Sequence, residues 1–92
     1  MSEVRQSVTI VNKRGLHARA SAKFVGAVSE LPEGAQVRVA KGGNEAAGGS
    51  ILGLMMLGAA KGDDVELIVD GADADGVLAQ LVALVENGFD EE

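Results

Sequence analysis

At the start of the chain Val4, Val8 and Ile10 are separated by Arg5, Ser7 and Thr9, with Gln6 as one polar lapse. A period of two belongs to a half-buried strand, so the spacing predicts a strand over Val4–Val11, broken by Asn12-Lys13-Arg14-Gly15. From about Ala18 the period lengthens. Ala20, Phe24, Val28 and Leu31 recur every three or four residues with Arg19, Lys23 and Glu30 between them, which predicts an amphipathic helix ended by Pro32 and Gly34. Alternation returns at Val37 and Val39, and Gly42-Gly43-Asn44 supplies the turn into a short, weakly specified strand near Glu45–Ala47. Ser50 suits the N-cap of a short apolar helix that closes at Gly58. The clearest strand follows, with Val65, Leu67 and Val69 on one face and Glu66 and Asp70 on the other. A last helix, with Asp73 as its cap, buries Leu78, Leu81 and Val85 and closes at Asn87-Gly88.

The predicted order is β-α-β-β-α-β-α. A hairpin in its middle and helices enough for one face imply an α+β fold: a largely antiparallel sheet with helices on one side and water on the other. With 92 residues, 47% of them hydrophobic, the chain holds apolar mass for one core, and a single domain over residues 1–92 is expected.

Composition removes several kinds of chemistry. Without cysteine, and with His17 as the only histidine, neither a disulfide framework nor a zinc site is expected, and no metal or other cofactor is called for. A net charge of −6 and only two aromatic residues, Phe24 and Phe89, argue against nucleic acid as a partner. No apolar run reaches the length of a signal peptide core or a membrane span, so a cytoplasmic protein without membrane insertion is expected. The charge is nevertheless uneven. Arg5, Lys13, Arg14, Arg19, Lys23, Arg38 and Lys41 crowd the first 41 residues, Lys61 stands alone later, and acids gather towards Gly88-Phe89-Asp90-Glu91-Glu92. A small electropositive area around His17 on an acidic body could receive an anionic group or an acidic partner, although such charges also serve simply to solvate a surface.

His17 falls where the first helix should begin. Gly15 lets the chain turn out of the strand, and the free amides of Ala18, Arg19 and Ala20 then lie beside the ring at the positive end of the helix dipole. That setting favours an anion, and the same dipole disfavours imidazolium, so a neutral, nucleophilic ring is expected. Arg19 is placed to return towards the same anion with charge-assisted donors. A phosphoryl group carried on nitrogen suits these features better than a metal or a serine relay does. On spacing alone, a solvated histidine at a helix start is the favoured account.

The segments Gly15–Val25, GLHARASAKFV, and Gly48–Gly62, GGSILGLMMLGAAKG, together resemble the histidine-containing phosphocarrier (HPr) family of the bacterial phosphotransferase system. The resemblance spans nearly the whole chain and implies an open-faced β-sandwich of four antiparallel strands covered on one face by three helices. It implies that His17 accepts a phosphoryl group on Nδ1 from phosphorylated enzyme I, itself charged from phosphoenolpyruvate, and passes it to an enzyme IIA component. Arg19 then matches the active-centre arginine, and the helix-start amides of Ala18 and Ala20 noted above are the backbone donors expected to meet the phosphate. Ser50 matches the serine modified by HPr kinase/phosphorylase in some lineages. Lys23, Ile51, Leu52 and Met55 fall on the partner-docking surface, and a monomer is implied.

One departure stands out: the family usually has proline after the arginine, where this chain has Ala20. Alanine frees the turn and leaves one more amide for an anion. Met55 and Met56 stand where polar side chains are common in sugar-transport members; they either fill the core or offer adaptable contact surface. A regulatory, nitrogen-related carrier without sugar transport is therefore the second reading. An acyl carrier with Ser50 as attachment point would be all-helical, against the predicted strands, and alanine after Gly58 excludes a P-loop.

Overall fold

The computed structural model describes residues 3–91. Its elements are β1 (Val4–Thr9), α1 (Ala18–Ser29), β2 (Gln36–Lys41), β3 (Asn44–Ala47), α2 (Ile51–Met56), β4 (Asp64–Asp70) and α3 (Ala74–Glu86), followed by a short helical turn at Gly88–Asp90. The strands form one sheet in the order β1-β4-β2-β3, and every neighbouring pair is antiparallel. β4 enters between β1 and β2, so the strand with the strongest apolar alternation takes a central position.

The helices cover one face. α3 lies against β1 and β4, and α1 packs against α2. Val8, Val37, Val39, Val65, Leu67 and Val69 point from the sheet into a core closed by Phe24, Leu54, Leu81, Val85 and Phe89. Each aromatic so buried stabilises the fold by roughly 1.5–3 kcal/mol relative to exposure. Gly42 has φ +60 in the two-residue turn joining Lys41 to Asn44, the conformation that a tight hairpin requires.

Three details depart from the pattern-based expectation. β1 stops at Thr9, because Ile10 exchanges its backbone bonds with the loop at Gly62 and Asp63 and so leaves the ladder. The open face of the sheet is not uniformly wet: Ile68 is only 1% exposed there. In register it lies between Arg5 and Arg38, and Glu3 joins these two guanidinium groups across it. Amphipathic arginine stems shelter an apolar residue that alternation alone assigns to water.

Asp73 does precede α3, but its side chain makes no capping bond. Its φ is +55, whereas a capping side chain reaches the first-turn amides from an extended residue. Among the described residues no helix is long and apolar enough to cross a membrane.

Candidate functional site

The loop between β1 and α1 is fixed from beneath. Gly15 has φ +63, and a Cβ on it would lie 2.3 Å from the Ala59 carbonyl oxygen, so both conformation and space demand glycine. The buried Leu16 donates its N–H to that same carbonyl at 3.0 Å. His17 then adopts extended angles (φ −79, ψ −176) and becomes the N-cap of α1, with its carbonyl accepting the Ser21 N–H at 2.9 Å. Ala20, Ser21 and Phe24 are buried and hold the helix in place, while Ala18, Arg19 and Lys23 face solvent.

The ring is therefore oriented through both nitrogens. Nδ1 accepts the Arg19 N–H at 3.2 Å, and Nε2 lies 2.6 Å from Glu91 Oε2. An Nδ1 that accepts requires the ring proton on Nε2, which then donates to the carboxylate. The other oxygen, Oε1, accepts from Asn12 Nδ2 at 3.0 Å, and that same amide nitrogen donates to the Gly15 carbonyl at 2.9 Å. Asn12 is 6% exposed, and its Oδ1 has no partner among the described residues. The Ala18 and Ala20 N–H groups likewise have no backbone acceptor among the described residues.

Glu91 reaches the ring by an unusual route. Gly88, Phe89 and Asp90 have φ of 64, 57 and 60, three successive residues in the left-handed region. Left-handed turns cost about 1–2 kcal/mol per non-glycine residue. The fully buried Phe89 offsets that cost by anchoring the turn in the core beside Leu16 and Phe24. Burial opposes the charged form of Glu91. Hydrogen bonds from Asn12 and His17, with the charge of the ring when it is protonated and that of Arg19, outweigh that and hold its carboxyl below the ordinary carboxylate value.

Lys13, Arg14, His17, Arg19 and Glu91 line one shallow depression. The Arg19 side chain makes no hydrogen bond or ion pair among the described residues, so its donors remain free to meet an anion there. Of the residues expected from sequence, His17 and Arg19 both line this depression. Sequence reasoning missed Asn12 and Glu91, and the acid-rich end of the chain was the only signal pointing to the latter.

Ser50 belongs to a second helix start. Its Oγ accepts the Gly53 N–H at 2.9 Å, the expected capping bond for α2. Behind it Ile51, Leu52, Met55 and Met56 are exposed, Leu52 by 67% and Met56 by 77%, while Leu54 alone turns fully inward. The two methionines are therefore surface residues and not core filling.

Comparison with known proteins places the chain in a family. The family model described as "PTS HPr component phosphorylation site" matches residues 4–87. The phosphocarrier protein HPr of Pseudomonas aeruginosa is 47% identical over 85 residues, covering 91% of this chain and 92% of that protein. The phosphocarrier protein NPr of Shewanella violacea is 41% identical over 91 residues, covering 99% and 98%. The crystal structure of an HPr from Thermoanaerobacter tengcongensis superposes with a TM-score of 0.86 at 39% identity, covering 100% of this chain and 99% of that one. The chain belongs to the HPr family of phosphocarrier proteins of the phosphotransferase system.

Proposed function

We propose that this phosphocarrier holds its phosphoryl group on Nδ1 of His17, taking it from phosphorylated enzyme I and passing it to an enzyme IIA protein. The observation that carries this reading is the state of Nδ1: it presents a lone pair, engaged only by the 3.2 Å bond from the Arg19 N–H, beside a depression lined with Lys13, Arg14 and Arg19. In the transfer step that lone pair forms the bond to phosphorus while the donor's bond to phosphorus breaks and its electron pair stays with the donor. The Arg19 N–H is then released to a phosphoryl oxygen, with the Ala18 and Ala20 amides and the Arg19 guanidinium available to the others. No deep pocket is needed, because two docked proteins position the group between them.

Docking falls to Lys23, Ile51, Leu52 and Met55. Their exposure beside a basic rim supports this role, since an apolar patch rimmed by polar groups is the usual form of a protein-binding surface. Ser50 is the regulatory site for an HPr kinase/phosphorylase, where a phosphate would add about −2 of charge to the docking helix. The carrier acts as a single-domain cytoplasmic monomer. A second reading is the nitrogen-related regulatory branch, favoured by the NPr relative that matches over 99% of this chain and by the exposed methionines.

The test is incubation with phosphoenolpyruvate, magnesium and either a sugar-type or a nitrogen-type enzyme I, read by intact mass. One acid-labile phosphoryl group, absent from His17→Ala, is expected, and the enzyme I that labels faster assigns the branch. No label from either enzyme I would overturn the carrier reading of His17.

A further inference from the structure

The orientation of the His17 ring can be traced back to one backbone carbonyl. Gly15 O accepts from Asn12 Nδ2, so the asparagine amide cannot flip without setting its own oxygen against that carbonyl. The same NH2 therefore also points at residue 91 and requires an acceptor there. Glu91 meets that demand with Oε1 and still has a second acceptor, Oε2, for the ring nitrogen. Only a carboxylate offers acceptors at both ends. A glutamine in this place would give its oxygen to Asn12 and turn its NH2 towards Nε2, which favours the opposite ring tautomer and withdraws the Nδ1 lone pair. The left-handed turn at Gly88–Asp90, locked by the buried Phe89, is what delivers the carboxylate to this position.

We propose that Glu91 is a positioning residue for phosphoryl transfer. Oriented by Asn12, its carboxylate holds His17 in the Nε2–H tautomer and faces the positive charge that the ring gains when Nδ1 bonds phosphorus. This rests on the carrier reading of His17. The accounting is simple: Nδ1 spends its lone pair on the new N–P bond, Nε2 keeps its proton, and the resulting cationic ring meets an existing anion. No proton has to move during the step. Lys13, Arg14 and Arg19 line the same depression and act on the incoming phosphoryl oxygens, whereas Glu91 acts on the far nitrogen.

The experiment uses the full chain as wild type, Glu91→Gln and Glu91→Asp, each checked for folding by circular dichroism. Nitrogen NMR of the imidazole reads the tautomer without any donor, and quenched-flow transfer from phosphorylated enzyme I reads the rate. The expected result is a predominantly Nε2–H ring in the wild type, a shift towards Nδ1–H in Glu91→Gln, and transfer slowed by about 10–100-fold. Glu91→Asp, which keeps the carboxylate on a shorter arm, recovers part of both. A folded Glu91→Gln protein that keeps the wild-type tautomer ratio, or that loses it without slowing transfer, overturns the assignment. Failure of enzyme I to label even the wild type would overturn the carrier reading instead, and the ring tautomer would still decide whether Glu91 orients His17.

Discussion

The starts of α1 and α2 are built alike and differ in what surrounds them. Both N-cap residues are extended, and both use a side-chain acceptor on a first-turn amide: His17 Nδ1 on Arg19 N–H at 3.2 Å, Ser50 Oγ on Gly53 N–H at 2.9 Å. At α1 the cap is a ring with a second nitrogen, held by a carboxylate and faced by cations. At α2 the cap is a plain hydroxyl backed by exposed Ile51 and Leu52. The capping bond is thus common to both sites and confers no chemistry by itself. The neighbours of the second atom separate the two: a carboxylate and cations around the His17 ring, exposed apolar side chains behind the Ser50 hydroxyl.

The sharpest way to break the comparison is to make the two caps identical. Serine retains the extended capping role, so His17→Ser should keep stability to within about 1 kcal/mol of wild type. Acid-labile labelling by enzyme I should vanish, as read by intact mass and thermal melting. Labelling that survived in this variant would place the acceptor elsewhere.

Ser50 separates into its two roles by choice of substituent. Aspartate also caps helices, so Ser50→Asp should melt near wild type while placing a negative charge at the start of α2. Transfer from enzyme I is expected to slow about tenfold, equivalent to ~1.4 kcal/mol of like-charge opposition. Stopped-flow transfer at low and high salt checks this, since screening should recover part of the rate. Ser50→Ala instead removes the bond to Gly53 and should cost about 1 kcal/mol, a fall in melting temperature of roughly 4–8 °C. A Ser50→Asp protein that transferred at the wild-type rate would end the case for regulation by charge at this site.

The same contrast explains what the sequence could and could not disclose. Both caps are local features: a polar side chain, an extended residue and an apolar period beginning just afterwards. The helix starts at His17 and Ser50 were therefore legible, as were the four strands, although the alternation did not disclose the burial of Ile68 on the open face. Asp73 has the same local signature but fails to cap, because its left-handed backbone, invisible in side-chain spacing, changes where the carboxylate points. Glu91 lies 74 residues from His17, and it arrives through left-handed Phe89 and Asp90 at positions where composition favours glycine. Nothing in periodicity encodes such a turn. Asn12 was hidden for a related reason: it looks like a loop residue, and its value comes only from pointing at Gly15 and Glu91 together.

The smallest expected effect concerns the partner that the α2 cap lacks. Glu91 has its carboxyl below the ordinary range in the folded chain despite the burial that opposes its charge. A carboxyl lowered on folding adds stability that is complete above its unfolded value of about 4.3 and fades as pH falls through the lower folded value. The contact with His17 should therefore outlast the titration of exposed carboxylates and release only in stronger acid. The side-chain carboxyl carbon of Glu91, followed by NMR in the full chain, should titrate with a midpoint below that of an exposed glutamate. Its movement should coincide with a change at the His17 ring. A midpoint raised above that of an exposed glutamate would mean that burial outweighs Asn12 and His17, weakening the anion at Nε2 that distinguishes the first cap from the second.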